Sequence, residues 1–246
     1  MSNSDISPTP LSSAAQSSVY PSTSVMAPKS LTLILAATPS LGIGKGGGLP
    51  WPQLKKEMGY FARVTKRTTA TEGDAAGAAP AKRQRVNAVV MGRKTWDSIP
   101  DKFRPLKGRI NVVVTRSVDA FTSALPPHAQ SAAAYEGPLV AGSVSDALSQ
   151  LQSDKIGVEV DKVIVIGGAS IYEQALQLQE AKHVLLTKIQ KEYECDTYFS
   201  ENLEGDGWTK ASREELQEFT GETFEEGTEV EEKDVKFEFC LYNRIR

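Results

Sequence analysis

Val163-Ile164-Val165-Ile166-Gly167-Gly168-Ala169-Ser170-Ile171-Tyr172 sets the architecture of the chain. An unbroken β-branched run without polar alternation predicts a strand covered on both faces. The glycine pair lets the backbone turn closely, and a helix is expected from there through Leu178. The same order recurs along the chain. Leu31–Ala37 is another nearly continuous apolar run, Asn87–Met91 leaves through Gly92 into a helix from Arg93 to Ile99, and Arg109–Val114 ends in Thr115-Arg116-Ser117. Ser143-Val144-Ser145-Asp146 resembles a capping box for a helix carrying Ala147, Leu148 and Leu151. His183–Ile189 is a fifth strand, and Val235–Tyr242 alternates as an edge-type antiparallel strand after an acidic stretch at 222–234 read as a solvated hairpin loop. The expectation is one α/β domain: a central, mainly parallel twisted sheet flanked by helices, with an antiparallel C-terminal edge.

Bulk properties narrow the function. A chain of 246 residues with net charge −3 suits one large globular domain and gives no electrostatic reason to bind nucleic acid or an anionic membrane. Two cysteines, Cys195 and Cys240, and two histidines, His128 and His183, leave no metal-ligand spacing, so no metal is expected. His183 precedes Val184-Leu185-Leu186 and reads as a structural histidine. Residues 1–30 are rich in Ser, Pro and Ala and read as a disordered leader without a secretory core or the arginines of a mitochondrial presequence. Met26 could serve as an alternative start, a point the sequence leaves open. A cytoplasmic protein is expected, with a mitochondrial or nuclear pool left open. Residues 65–86, including Ala75-Ala76-Gly77-Ala78-Ala79-Pro80, read as a low-complexity surface insertion, and Lys82-Arg83-Gln84-Arg85 as a solvated loop, with a weak nuclear-localisation or anion-binding cluster as the alternative.

The chemistry starts with an acid. After Gly42-Ile43-Gly44-Lys45-Gly46-Gly47-Gly48-Leu49-Pro50-Trp51-Pro52, a helix is expected from Pro50 to Val64, with Leu54, Met58, Phe61 and Val64 on one face. Glu57 falls on that apolar face, where lost hydration would raise its pKa toward that of a general acid. An ion pair at the rim of the stripe is the alternative. Three strand ends then carry anion-binding marks: Gly92-Arg93-Lys94-Thr95, Gly167-Gly168-Ala169-Ser170 and Thr115-Arg116-Ser117. Carboxyl ends of neighbouring parallel strands share a crevice, which suggests a dinucleotide with an extra phosphate. None of these three strand–helix turns carries a Gly-x-Gly-x-x-Gly fingerprint.

From about Leu31 to Arg244 the chain resembles dihydrofolate reductase of a eukaryotic, fungal-like type. The resemblance rests on Gly42–Lys45 with Leu49-Pro50-Trp51, Met91–Trp96, Ile99-Pro100 with Arg104–Arg109, Ile166–Tyr172 and Asp196–Phe199, in order and at matching separations. It implies NADPH-dependent reduction of 7,8-dihydrofolate, with Glu57 assisting N5 protonation, Thr187 orienting it, and Trp51 and Leu49 closing the site. It further implies a substrate pocket of Ile34, Leu35, Met58, Phe61, Ile99, Pro100, Leu106 and Ile166, with Arg109 pairing the substrate's carboxylate. For the cofactor it implies Ala36, Ile43, Gly44, Lys45, Gly47, Gly48, Gly92, Arg93, Lys94, Thr95, Thr115, Arg116, Ser117, Gly167, Gly168, Ala169, Ser170, Ile171 and Tyr172. Residues 42–52 would form a loop closing over the nicotinamide, with Gly46 to Gly48 suited to a hinge, and the Gly167–Gly168 peptide would be cis. Antifolate binding and a monomer follow from the same likeness. Gly142 departs from vertebrate forms, which carry an arginine there, leaving Arg93 and Arg116 to select NADPH. Two other readings stand beside this one. The pyrimidine reductase of riboflavin synthesis should lack both Glu57 and Arg109; the other is a catalytically silent folate- or NADP-binding protein.

Overall fold

β1 (Leu31–Ala37) is buried at every position. It lies between β6 (Glu159–Gly167) and β7 (Ala181–Ile189), parallel to both. The computed structural model describes residues 29–69, 83–126, 135–153, 156–224 and 227–245, so most of the expected leader and most of the expected insertion lie outside the described residues. Beyond β6 come β3 (Arg85–Gly92), β4 (Ile110–Val114) and β5 (Leu139–Ala141), all parallel. Beyond β7 runs β11 (Val235–Arg244), antiparallel, with β10 (Glu229–Glu232) and β9 (Trp208–Lys210) paired to its outer side. A small separate pair joins β2 (Gly42–Gly44) to β8 (Thr197–Tyr198).

Strand alternation divides the core. On one face Leu33 and Leu35 of β1 pack with α4 (Val144–Leu151) and α5 (Ala169–Leu176). On the other, Ile34 and Ala36 meet Leu54 and the buried Tyr60 and Val64 of α1 (Lys55–Lys66), together with Leu216 of α6 (Arg213–Thr220). That second face continues to Val89, Met91 and Val113 under Trp96 of α2 (Arg93–Ser98), with Phe121 of α3 (Val118–Ala124) against it. Ser143 caps α4 as expected, accepting from the amide of Asp146 at 3.0 Å. His183 is structural: its Nδ1 lies 2.8 Å from Asn243 Oδ1, and burial lowers its pKa.

Four expectations are corrected. The α1 helix starts at Lys55, five residues after Pro50, because its first amides are satisfied from a distant element rather than by local proline geometry. Glu232 of β10 accepts from the amides of Lys55 and Lys56, one on each carboxylate oxygen, at 2.8 Å. The acidic stretch is therefore not merely a solvated loop. It forms β10, turns at Lys233 and Asp234 with φ of 53° and 59°, and places Glu222 between Arg63 (2.6 Å) and Arg67 (2.8 Å). β11 is interior, flanked on its far side by β9 and β10. Finally, α1 continues through Lys66 and β3 starts at Arg85, whose guanidinium pairs with Asp161, so the insertion is narrower than 65–86 and Arg85 is not a loop residue.

Glu232→Ala should lower the unfolding free energy by about 1–2 kcal/mol, the value of a good helix N-cap, read from the midpoint of urea denaturation. An unchanged midpoint would show that water satisfies those amides equally well.

Candidate active site

Glu57 sits in the first turn of α1, across from Thr187 of β7, whose hydroxyl lies 3.5 Å from Glu57 Oε1. Burial pushes the carboxyl up to about 7, and the Thr187 contact pulls weakly the other way. The walls are the buried Ile34 and Ala36, the half-buried Ile166 and Phe61, and Trp51, which is only 5% exposed and meets Tyr193 edge-on at 6.2 Å. The face of α1 carrying Glu57 is less buried than its periodicity suggests. Met58 is 44% exposed and Phe61 half-buried, because only Tyr60, Val64 and Thr65 of this helix reach full burial against the sheet.

Arg109 is buried just before β4, although the expected strand included it. Its Nη1 donates to Thr65 Oγ1 at 2.8 Å and its Nε to the carbonyl of Lys107 at 3.3 Å. Asn111 fixes the approach to it. The Asn111 side chain accepts from the Leu106 amide at 2.8 Å and donates to the carbonyls of Leu106 and Arg109 at 3.0 Å. Burial pulls the guanidinium down to about 10, so it remains charged at neutral pH. Among the described residues no carboxylate lies within ion-pair distance of it.

The strand ends converge as the sheet order requires. Gly92 and Gly168 precede α2 and α5, and neither helix has a side-chain N-cap. A methyl at Gly168 would find Thr95 Oγ1 at 3.4 Å and nothing else within 4 Å, so the backbone can be approached closely there. The Gly167–Gly168 peptide is cis, as the resemblance implies; Arg104–Pro105, which is also cis, was not foreseen. Lys94, Arg116, Ser117 and Ser170 are exposed and Thr115 is buried. Arg93 reaches Asp97 at 3.3 Å, whereas Lys94 and Arg116 form no ion pair among the described residues.

The other expected site residues are spread over both faces of the sheet and the surface. Leu35 points into the opposite layer from Ile34 and Glu57, because neighbouring strand residues alternate faces. Ile171 is core, and the Tyr172 hydroxyl is spent on the carbonyl of Ile34 at 2.7 Å. Ile43 packs against that same layer. Ile99, Leu106 and Ile166 each pack against the buried cluster that contains Met91 and Trp96, Pro100 is exposed, and Leu49 is 57% exposed. A cavity of about 290 Å³ floored by Trp96 and Phe121 contains none of Glu57, Thr187 or Arg109.

The 42–52 segment is held more firmly than three glycines suggest. Gly46 and Gly47, with φ of 60° and 83°, make a two-residue hairpin turn closed by reciprocal Lys45–Gly48 bonds of 2.9 and 3.0 Å. Asp196 accepts from the Gly46 amide at 2.7 Å, and Lys45 pairs with Glu194 at 2.5 Å, which engages its charge. Tyr193, Glu194 and Asp196 were missed as partners of this segment. Only the Asp196–Phe199 motif signalled that stretch, and it named no contact. Thr65 was missed as well, although its position eight residues after Glu57 puts it on the same helical face.

Nucleotide-driven reduction asks for such a layout, with an anion cradle at strand ends and one proton source on a neighbouring helix. The class is an oxidoreductase. The dihydrofolate reductase family profile matches residues 82–244, and the chain belongs to that family. It is 35% identical over 221 residues to the dihydrofolate reductase of Candida albicans, covering 88% of this chain and 98% of that protein. The Rattus norvegicus dihydrofolate reductase is 36% identical over 215 residues, covering 87% and 97%. A Schizosaccharomyces pombe dihydrofolate reductase is 37% identical over 227 residues and 88% of this chain, which spans about half (47%) of that longer protein. Among solved structures, Schistosoma mansoni dihydrofolate reductase superposes with a TM-score of 0.63 at 32% identity, covering 88% of this chain and 99% of that one.

Proposed function

We propose that the protein reduces 7,8-dihydrofolate to 5,6,7,8-tetrahydrofolate with NADPH. The observation that carries this reading is the placement of Glu57, a carboxyl poised near pH 7, on the same helix whose last turn holds Arg109. A fused pterin offers an amino group and ring nitrogen to the first, and its glutamate tail offers a carboxylate to the second. Glu57 holds a proton at neutral pH and relays it by way of water toward N5, with Thr187 fixing the carboxyl. Phe61, Met58 and Ile34 form the apolar walls around the ring, and Trp51 keeps bulk water from the acid.

The residues present fit the nucleotide. The helix starts at Arg93 and Ala169 and the open approach at Gly168 suit its pyrophosphate, and Lys94 and Arg116, which form no ion pair among the described residues, suit an additional phosphate. NADPH, when bound, supplies the hydride that C6 receives. Among the described residues no helix is long and apolar enough to cross a membrane. A cytoplasmic monomer that binds antifolates in the same pocket completes the reading.

Dihydrofolate-dependent oxidation of NADPH by the purified protein, followed by absorbance beside NADH and with a tight-binding antifolate, tests it. Antifolate-sensitive turnover preferring NADPH is expected. Folded protein that binds NADPH yet leaves dihydrofolate unchanged would overturn the reading in favour of a silent binding protein or the riboflavin-pathway reductase.

A further inference from the structure

We infer that Thr65 is a positioning residue that aims the Arg109 guanidinium at the substrate's carboxylate, so that α1 takes part in setting the distance between the two polar ends of the substrate. The inference rests on the function proposed above and deepens it.

Thr65 is completely buried in the last turn of α1. Its hydroxyl donates to the carbonyl of Phe61 at 2.7 Å, which commits the only hydrogen it has. The oxygen can therefore act toward Arg109 Nη1, 2.8 Å away, only as an acceptor. With Nε on the Lys107 carbonyl, two of the five guanidinium N–H groups are held by protein, and the other three have no partner among the described residues. A planar fork pinned at two corners presents its remaining edge in one direction, the requirement for bidentate carboxylate binding. Thr65 is itself anchored, since Asn87 Nδ2 donates to its carbonyl at 3.1 Å and to that of Arg67 at 2.9 Å.

The register gives the rest. Glu57, Phe61 and Thr65 stand at i, i+4 and i+8, on one face of one helix. Eight residues of α-helix rise about 12 Å. The proton source, an apolar wall and the buttress of the carboxylate receptor are thus carried on a single rigid element. A substrate must place its heterocycle and its carboxylate about two helical turns apart, with an apolar section between them, to satisfy both ends.

Thr65→Val, which removes the acceptor and keeps the shape, and Thr65→Ser, which retains it, separate this role from packing. The probes are 7,8-dihydrofolate and 6-methyl-7,8-dihydropterin, which lacks the carboxylate; affinities come from quenching of tryptophan fluorescence and KM from turnover. Thr65→Val should weaken dihydrofolate about tenfold while the truncated pterin shifts by less than about twofold, and Thr65→Ser should restore wild-type behaviour. Equal weakening of both ligands, or of neither, overturns the inference. Wild-type protein that binds dihydrofolate without reducing it would remove the functional reading while the two affinities still decide the role of Thr65. Wild-type protein that binds neither pterin would remove both.

Discussion

Glu57→Gln is expected to cut turnover of dihydrofolate by roughly 10²–10⁴-fold at pH 7, the range for loss of a positioned general acid. Glutamine can still hydrogen-bond the pterin, so KM should change far less than kcat. The wild-type rate should fall as pH rises through about 7, where the raised carboxyl loses its proton, and the variant's residual rate should lack that titration. Stability moves the opposite way. The folded carboxyl holds its proton to about 7 from a model value of 4.5, so in that window the folded state binds more protons than the unfolded one. The contribution of Glu57 to wild-type stability is therefore full below pH 4.5 and is lost as pH rises through 7. A shift of this size corresponds to roughly 3 kcal/mol. Glu57→Gln should thus melt above wild type at pH 8 and converge with it near pH 4. A variant with the wild-type pH–rate profile would remove Glu57 from the proton path.

Arg109→Leu should raise KM for dihydrofolate roughly 10²–10³-fold, as expected when one partner of a desolvated charge pair is truncated. Reduction of a pterin lacking the carboxylate should be nearly unaffected. The fold should not suffer, because burial pulls the guanidinium down to about 10 from 12.5. For a base with a depressed pKa, the folded state disfavours the charged form, and that cost is fully present at every pH below about 10. Removing the charge lifts it. Steady-state kinetics with both substrates, beside thermal melts, check the pair of statements. Equal losses on both substrates would mean that Arg109 supports the pocket rather than the carboxylate. Both residues that define the ends of the site are thus expected to oppose folding.

Much of this was legible from local pattern. The apolar runs at Leu31, Asn87, Val163 and His183 each became a strand with small shifts at the ends, and the glycine exits fell at the carboxyl edge of the sheet. Glu57 was readable from its place on an apolar helical face. The face of Leu35 was readable too, since strict alternation from Ile34 puts it in the other layer; the family likeness pulled it into the pocket. Contacts between segments far apart in sequence were beyond any local pattern. Glu232 reaches the Lys56 amide across 176 positions, and Asp196 reaches Gly46 across 150. Such pairs are fixed by strand order, which periodicity does not encode. The acidic stretch looked like solvated charge for that reason, although Glu222 and Glu232 brace the two ends of α1.

The interior position of β11 bears on how the protein is made. Translation is vectorial, and residues 235–244 leave the ribosome after every other strand of the sheet. Until they do, β7 presents a bare edge of unpaired amides and carbonyls, the surface on which nascent chains stick to one another. Phe239 is the residue that comes to stand opposite Thr187. The seat of the acid is accordingly completed by the last strand to emerge, and a stalled or clipped polypeptide would be aggregation-prone before it could be a catalyst.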